Sequence, residues 1–332
     1  MAKVPATLSA VCCSIVFAAG AWAQSVISAH SGVIHYVEGD VTIDGTAVHP
    51  KFAEFPDVKS GQVLATEEGR VEVLLTPGVF LRLTDNSSVR MISNALADTR
   101  LEVVTGSALV EVGELLEHNA IAFDTAGAHL VLSKKGLYRI TANPALLQVY
   151  DGQALVTTGS ETVTAKKGHE IDVSAAKPVD TKFDTKNTDS FYRWSARRAE
   201  YVAAANVISA RVASNSDYRS GYTGSGTGAW SWNPYFGMYT FLPGSGIYWS
   251  PFGSPFYSPG IITGIYVPQR TLLSTGNGVP VNMGTTHASV APASGGLGSA
   301  GGVQSGGAGR AGIGAFSGAS SVGHSIGSTR GR

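Results

Sequence analysis

The chain has almost no cysteine. Two occur in 332 residues, Cys12 and Cys13, side by side near the N-terminus. Because no cysteine follows them, the rest of the chain has neither disulfide bonds nor cysteine-ligated metal sites. Its stability must therefore rest on an apolar core and on backbone hydrogen bonds.

Charge is also scarce, since 14% of the residues are charged, against about 25% in ordinary globular proteins. The 24 basic and 24 acidic residues give a net charge of zero, which argues against a nucleic-acid-binding protein held by an excess of Lys and Arg. Glycine occupies 41 positions, so part of the chain is expected to bury little surface.

The long apolar runs are confined to the N-terminus. Residues 1–23 contain Lys3, an apolar stretch over Leu8–Gly20, and then Ala21-Trp22-Ala23, the order of a secretory signal peptide cleaved before Gln24. A membrane anchor is the alternative, but the stretch is shorter than the ~20 apolar residues that a spanning helix needs. The sequence thus predicts an exported protein, periplasmic, on the outer surface or secreted, with no transmembrane helix in the mature chain.

Residues 27–175 consist of short segments rich in Val, Leu, Ile and Thr, separated by turn residues. The pattern predicts turns at Glu38-Gly39-Asp40 and Glu68-Gly69, and a type I′ turn at Asp44-Gly45. Alternation along Arg70–Leu75 predicts one packed and one mixed face. We therefore expect an all-β domain, an antiparallel sandwich or jelly-roll-like fold, with a short β-solenoid as the alternative.

Over residues 189–211 the spacing of apolar residues changes to that of an α-helix. Phe191, Trp194, Tyr201 and Ile208 are predicted to share one face, which Arg198 interrupts, and Asp189 is suited to be the N-cap. An aromatic stripe usually marks burial, so we expect the helix to dock on the β domain. A partner-binding helix with an exposed aromatic face is the alternative.

Residues 222–266 mix aromatic residues with proline and glycine. The frequent prolines and glycines predict neither a regular helix nor a long central strand. In an exported chain, a segment so rich in aromatic side chains predicts contact with its own domain, a sugar, lipid headgroups or another protein. The candidate contact residues are Trp230, Trp232, Tyr235, Phe236, Tyr239, Trp249, Phe252 and Tyr257.

The remaining residues, 272–332, are rich in Gly, Ser and Ala and predict a disordered tail. The tail contains Gly323-His324-Ser325-Ile326-Gly327, which matches the G-x-S-x-G nucleophile motif. That motif needs a strand before it, a helix after it, and an acid and a histidine downstream, and this context supplies none of them. The eight histidines are scattered without metal-ligand spacing. We therefore predict no enzyme, no catalytic or metal-binding residue and no cofactor.

The stretch from Gly32 to about Val173 resembles the FecR family of extracytoplasmic regulator domains. The resemblance rests on an ordered set of weak motifs: Glu38-Gly39-Asp40-Val41, Gly61-Gln62-Val63-Leu64, Pro77-Gly78, Asn86-Ser87-Ser88-Val89, Ala108–Val112, Val149-Tyr150-Asp151-Gly152 and Gly168. The family often carries a Gly-Thr-x-Phe-x-Val segment where this chain has Gly136–Ile140.

The resemblance implies an exported, non-enzymatic binding or sensing domain. In well-known members of the family, a cytoplasmic segment controls a sigma factor, and the periplasmic domain contacts an outer-membrane transducer. Here a leader alone precedes the β domain, so we expect the sigma-factor half of that function to be absent. The leading hypothesis is an envelope protein that binds a protein partner, senses or assembles at the cell envelope, and the alternative is a polysaccharide-binding surface protein. No nucleic-acid partner is expected.

Overall fold

The computed structural model describes residues 31–49, 51–115, 119–175, 177–215 and 227–266. All of them belong to one compact unit, Met1–Thr271. The predicted signal peptide and the predicted tail lie outside the described residues. None of the helices in the described ranges is long and apolar enough to cross a membrane.

The described chain is mostly β-structure. Its strands are β1 (Val33–Ile43), β2 (Thr46–Ala47), β3 (Val63–Leu74), β4 (Val79–Leu83), β5 (Ser88–Ala95), β6 (Asp98–Thr105), β7 (Ser107–Val112), β8 (Ala120–Thr125), β9 (Ala128–Leu132), β10 (Gly136–Ala142), β11 (Ala145–Asp151), β12 (Gln153–Thr158), β13 (Glu161–Lys166), β14 (His169–Asp172), β15 (Val179–Lys182), β16 (Ala229–Asn233), β17 (Met238–Leu242), β18 (Ile247–Trp249) and β19 (Pro255–Tyr257). The described helices are α1 (Ser190–Ser214) and α2 (Pro259–Tyr266).

Strands β1–β15 form one sheet in the order β13-β12-β9-β8-β6-β5-β3-β4-β7-β10-β11-β14-β15, with β1 paired to β3 and β2 to β1. The sheet folds over on itself, because β10 packs against β6 and β8, and β11 against β13. The main apolar core lies between the two halves. One described pair, β6–β8, is parallel and the others are antiparallel. The all-β prediction is confirmed, and the pairing is that of a sandwich rather than a solenoid.

Two of the predicted turns, Glu38-Gly39-Asp40 and Glu68-Gly69, lie inside strands β1 and β3 and do not end them. Gly39 and Gly69 are register partners in the middle of β1 and β3, where the pairing shifts between Gly39 and Val41. A Cβ on Gly39 would collide with the backbone of Glu68, and one on Gly69 with the backbone of Asp40. The two glycines therefore allow both strands to bend closely together without ending, as at a β-bulge. By contrast, Asp44 and Gly45 both have positive φ, 49° and 77°, which confirms the predicted type I′ turn.

Candidate functional site

The side chains of β3, β4 and β7 alternate between the core and the opposite, outer face of the sheet. Val71, Leu81 and Val110 point into the core, so the intervening residues lie on the outer face. That face carries three charged side chains among three apolar ones: Glu72, Leu74, Phe80, Arg82, Leu109 and Glu111. All six are fully buried, because the chain beyond residue 189 covers them.

The three charged residues of the outer face belong to a buried ion network. Arg82 donates from Nε to Glu72 Oε2 and from Nη1 to Glu111 Oε2, both at 2.8 Å. Arg198 of α1 donates from Nη2 to Glu72 Oε1 at 2.9 Å. Two carboxylates and two guanidinium groups therefore balance in charge, which is the condition for burying them together.

The pKa of Glu72 is set by two opposing effects. Burial by itself raises the pKa of this carboxyl, but Arg198 and Arg82, with a hydrogen bond from His35, hold it well below its usual value. Glu72 is therefore an anion at neutral pH, at the boundary between the β domain and helix α1.

His35 of β1 connects this network to β17. Its Nε2 accepts a hydrogen bond from the backbone N–H of Tyr239 at 3.2 Å, and its Nδ1 lies 2.9 Å from Glu72 Oε1. Because Nε2 is an acceptor, the proton belongs on Nδ1, which donates to the carboxylate. The imidazole is therefore neutral in this arrangement.

The β18–β19 hairpin and the loop between its strands contact the other end of the network. Ser250 donates to Glu111 Oε1 at 2.5 Å, and the Tyr248 hydroxyl lies 3.3 Å from the same oxygen. Burial and the negative charge of Glu111 raise the pKa of Tyr248 well above its usual value, so this hydroxyl stays protonated. Strands far apart in sequence thus share one set of buried polar bonds.

Helix α1 docks on the outer face, but through a different stripe from the predicted one. Asp189 is the N-cap, as predicted, and accepts from the N–H of Tyr192 at 2.8 Å. Phe191 and Trp194 are buried, whereas Tyr201 is 47% exposed. The predicted place of Tyr201 in the buried stripe is wrong, and Ile208 is only half-buried. Arg198 takes part in the buried face, because Glu72 neutralises it there.

Most of the candidate aromatic residues pack within the protein. Trp230 packs edge-on against Phe80 with ring centres 5.1 Å apart, and Trp232 and Tyr239 pack against Phe55 at 5.7 and 5.1 Å. Phe252 packs against Tyr192 at 5.0 Å. The backbone of Tyr257 is bound by the Asn206 side chain. Residues 229–257 therefore form a cover over the charged outer face.

The candidates Tyr235 and Trp249 are exposed, by 78% and 61%. Tyr235 lies in the turn between β16 and β17. The next residue, Phe236, packs against Tyr201 at 5.3 Å, and Gly237 lies under the ring of Phe52.

Phe52 is 81% exposed and is 6.5 Å from Trp232, ring centre to ring centre. Five aromatic residues lie in the β16–β17 hairpin or pack on it, and we call them the aromatic tip: Phe52, Tyr201, Trp232, Tyr235 and Phe236. The sequence does not identify Phe52 as a candidate, because a lone aromatic residue between predicted strands carries no periodic signal.

A cleft of about 730 Å³ lies at the end of the β1–β2 hairpin. Its lining combines the hairpin residues with the segment that follows: Ile43, Asp44, Thr46–His49, Lys51, Glu54–Pro56 and Gln62. Phe55 lines this cleft and also lies beside His35, with the two ring centres 6.1 Å apart. Within the described ranges, no group of three or more His, Cys, Asp or Glu side chains is placed to hold a metal ion.

No protein-family model matches the chain, and no curated protein matches it. Two crystal structures, each of a "putative anti-sigma factor" from Parabacteroides distasonis ATCC 8503, are similar to part of it. One is 14% identical and aligns over 37% of this chain and 61% of its own, and the other is 13% identical over 41% and 63%. Both have a TM-score of 0.33. The chain therefore spans about three fifths of the length of each, and at this similarity neither assigns it a function.

Proposed function

We propose that this chain is an exported, non-enzymatic, FecR-like protein that acts by binding a protein partner at the cell envelope, with the aromatic tip as its contact surface. One observation carries the proposal. Phe52 and Tyr235, the two most exposed large side chains of the tip, meet at one hairpin turn although 183 positions separate them in sequence: Tyr235 lies in the β16–β17 turn, and the ring of Phe52 lies against Gly237 of the same turn.

The composition of the tip favours a protein contact. Large aromatic side chains are enriched in the centres of protein interfaces and supply much of the binding energy there. The buried guanidinium of Arg198 supports this surface from below, because it lies 5.6 Å from the ring centre of Tyr201. Exposing so much aromatic surface is unfavourable in water unless something covers it.

The charged residues favour binding rather than catalysis. Glu72 and Glu111 are buried and hydrogen-bonded to arginines, so their role is to hold the packed elements together. In the cleft, Asp44 accepts from the N–H of Val63 and from Gln62. Glu54 pairs with Lys51 at 3.4 Å. These carboxylates are engaged in local contacts of the fold.

The test is the double variant Phe52→Ala/Tyr235→Ala in the full chain. Envelope proteins captured by the wild type are identified by mass spectrometry, purified and titrated against both proteins. We expect the double variant to bind at least about 30-fold more weakly, the loss typical of an interface hot spot. Its free energy of unfolding should change by less than about 1 kcal/mol, because both side chains are largely exposed.

The matched control is Val179→Ala/Val212→Ala, which removes side chains 51% and 52% exposed at other places. If both double variants bind the purified partner equally well, the tip is not the contact surface. A polysaccharide partner is the second candidate, since the exposed rings of Tyr235 and Trp249 could stack on sugars. In affinity electrophoresis on a glycan panel, retardation that the Phe52→Ala/Tyr235→Ala variant loses would favour it over a protein.

A further inference from the structure

Strand β2 presents an unpaired backbone edge. In the β1–β2 hairpin, Ile43 pairs with Thr46 and Thr42 with Ala47, and the N–H of Val48 donates to the carbonyl of Val41 at 2.8 Å. Because hydrogen-bonded and non-hydrogen-bonded pairs alternate in antiparallel strands, the N–H and C=O of Ala47 point away from β1. No described strand lies beside β2 on that side.

The cleft at the hairpin includes this strand. Thr46 and Ala47, the two residues of β2, line it together with Val48 and His49, which follow them in the chain. The strand with the unpaired edge is therefore part of the wall of the cleft. Ile43, Val48, Phe55 and Pro56 supply apolar surface in the same cleft, and each is only partly buried.

We propose that this cleft binds an extended segment of a partner polypeptide, which adds to the sheet as a strand beside β2. The proposal rests on the proposed function and names the chemistry of the partner. The backbone of the segment would pair with the N–H and C=O of Ala47, and alternate side chains would enter the cleft over Val48 and Phe55, as in β-strand addition. A glycan offers no amide groups at strand spacing, so this edge favours a polypeptide.

Strand β15, a short edge strand at one end of the same sheet, lacks these features. In β15, two of four residues are charged, Asp180 and Lys182, and charged side chains on an edge oppose the pairing of further strands. In β2, Thr46 and Ala47 are uncharged and exposed. The cleft therefore coincides with an edge strand that carries no charged side chain.

The test uses a phage-displayed library of random peptides of about ten residues, roughly the length of two strands, panned on the full chain. Enriched peptides are synthesised and titrated against the wild type, Ala47→Pro and Ala47→Ser. Proline is tolerated at an edge position whose N–H faces outward, so the β1–β2 pairing should survive while one hydrogen bond to the peptide is lost and the ring blocks the edge. We expect Ala47→Pro to weaken binding at least tenfold and Ala47→Ser to leave it within twofold, differences large enough to separate by calorimetry.

A second measurement needs no protein variant. N-methylation of each peptide position in turn should weaken binding of the wild type at every second residue, because alternate N–H groups face β2. The proposal is overturned if no peptide is enriched, if Ala47→Pro binds as tightly as the wild type, or if the N-methyl pattern does not alternate. Loss of the purified partner with Phe52→Ala/Tyr235→Ala but not with Ala47→Pro would overturn the strand addition and leave the proposed function standing.

Discussion

At the scale of single residues, Glu72 joins the β domain to helix α1, which lies over the outer face of the sheet. Its two oxygens accept from Arg82 of β4, Arg198 of α1 and His35 of β1. A neutral side chain at this place would leave two buried guanidinium groups with one carboxylate, Glu111. Removing one partner of a buried ion pair is far more destabilising than losing an exposed pair, since the remaining charge stays desolvated.

We therefore expect Glu72→Gln to lower the free energy of unfolding by about 3–5 kcal/mol, the cost of a broken buried ion pair, as measured by urea denaturation. The matched control is Glu102→Gln, which removes an exposed carboxylate 3.4 Å from Arg90 and should cost less than about 1 kcal/mol. Equal losses in the two variants would mean that the buried network contributes no more than a surface pair.

At the scale of elements, helix α1 holds the two hairpins of the cover through polar side chains on its buried face. Asn206 donates to the carbonyls of Phe241 and Tyr257 at 2.8 and 3.0 Å, and its Oδ1 accepts from the N–H of Tyr257 at 2.7 Å. Asn233 of β16 donates to the carbonyl of Ala205 at 2.8 Å. One buried amide thus connects β17 to β19, which are not paired with each other.

We expect Asn206→Ala to lower the free energy of unfolding by about 2 kcal/mol, because it leaves buried backbone groups without these partners. Amide hydrogen exchange should speed up in β17 and β19 while the β3 and β4 amides keep their protection. Asn187→Ala, at an exposed position before the helix, is the control and should change neither. Uniformly faster exchange throughout the sheet would show that the cover and the β domain unfold as one unit.

The elements also show what could be predicted from the sequence. Strands and the Asp44-Gly45 turn follow from local chemistry, and so does the Asp189 N-cap, so these predictions succeeded. The prediction of turns at Gly39 and Gly69 is wrong, because the sequence around a glycine is the same at a strand bend and at a turn until the partner strand is known. From the sequence, Arg198 interrupts the helix stripe, since its neutralising partner Glu72 lies 126 positions away.

The same limit applies to the candidate site. Aromatic composition singled out Tyr235 and Trp249 together with residues that the fold buries, such as Tyr239. Which rings are exposed depends on the register of the β16–β17 hairpin, in which Trp232 pairs with Tyr239, and on the charged sheet face below it. Neither can be read from local sequence, and Phe52 joins the tip only through the tertiary fold.

At the scale of the whole molecule, the charge network couples stability to pH. The pKa of Glu72 is depressed in the folded state by Arg198 and Arg82, against the opposing effect of burial, and returns to about 4.3–4.5 on unfolding. The unfolded chain therefore takes up a proton first as the pH falls. The stabilisation from Glu72 is fully present above this unfolded pKa and is lost progressively as the pH falls toward the folded pKa.

We expect the free energy of unfolding to fall steeply below about pH 5, and to fall less steeply in Glu72→Gln, which has no carboxyl to titrate at this position. The measurement is urea denaturation at a series of pH values, and the quantity compared is the slope of the unfolding free energy against pH, so a lower stability of the variant does not obscure it. Glu102→Gln should keep the slope of the wild type. If the slopes of all three proteins agree, protonation of Glu72 is not coupled to unfolding, and the acid sensitivity must come from other carboxylates, such as Asp189. The pKa of Asp189 is also lowered: burial by itself raises it, but hydrogen bonds from Tyr192 and Arg139 outweigh that effect.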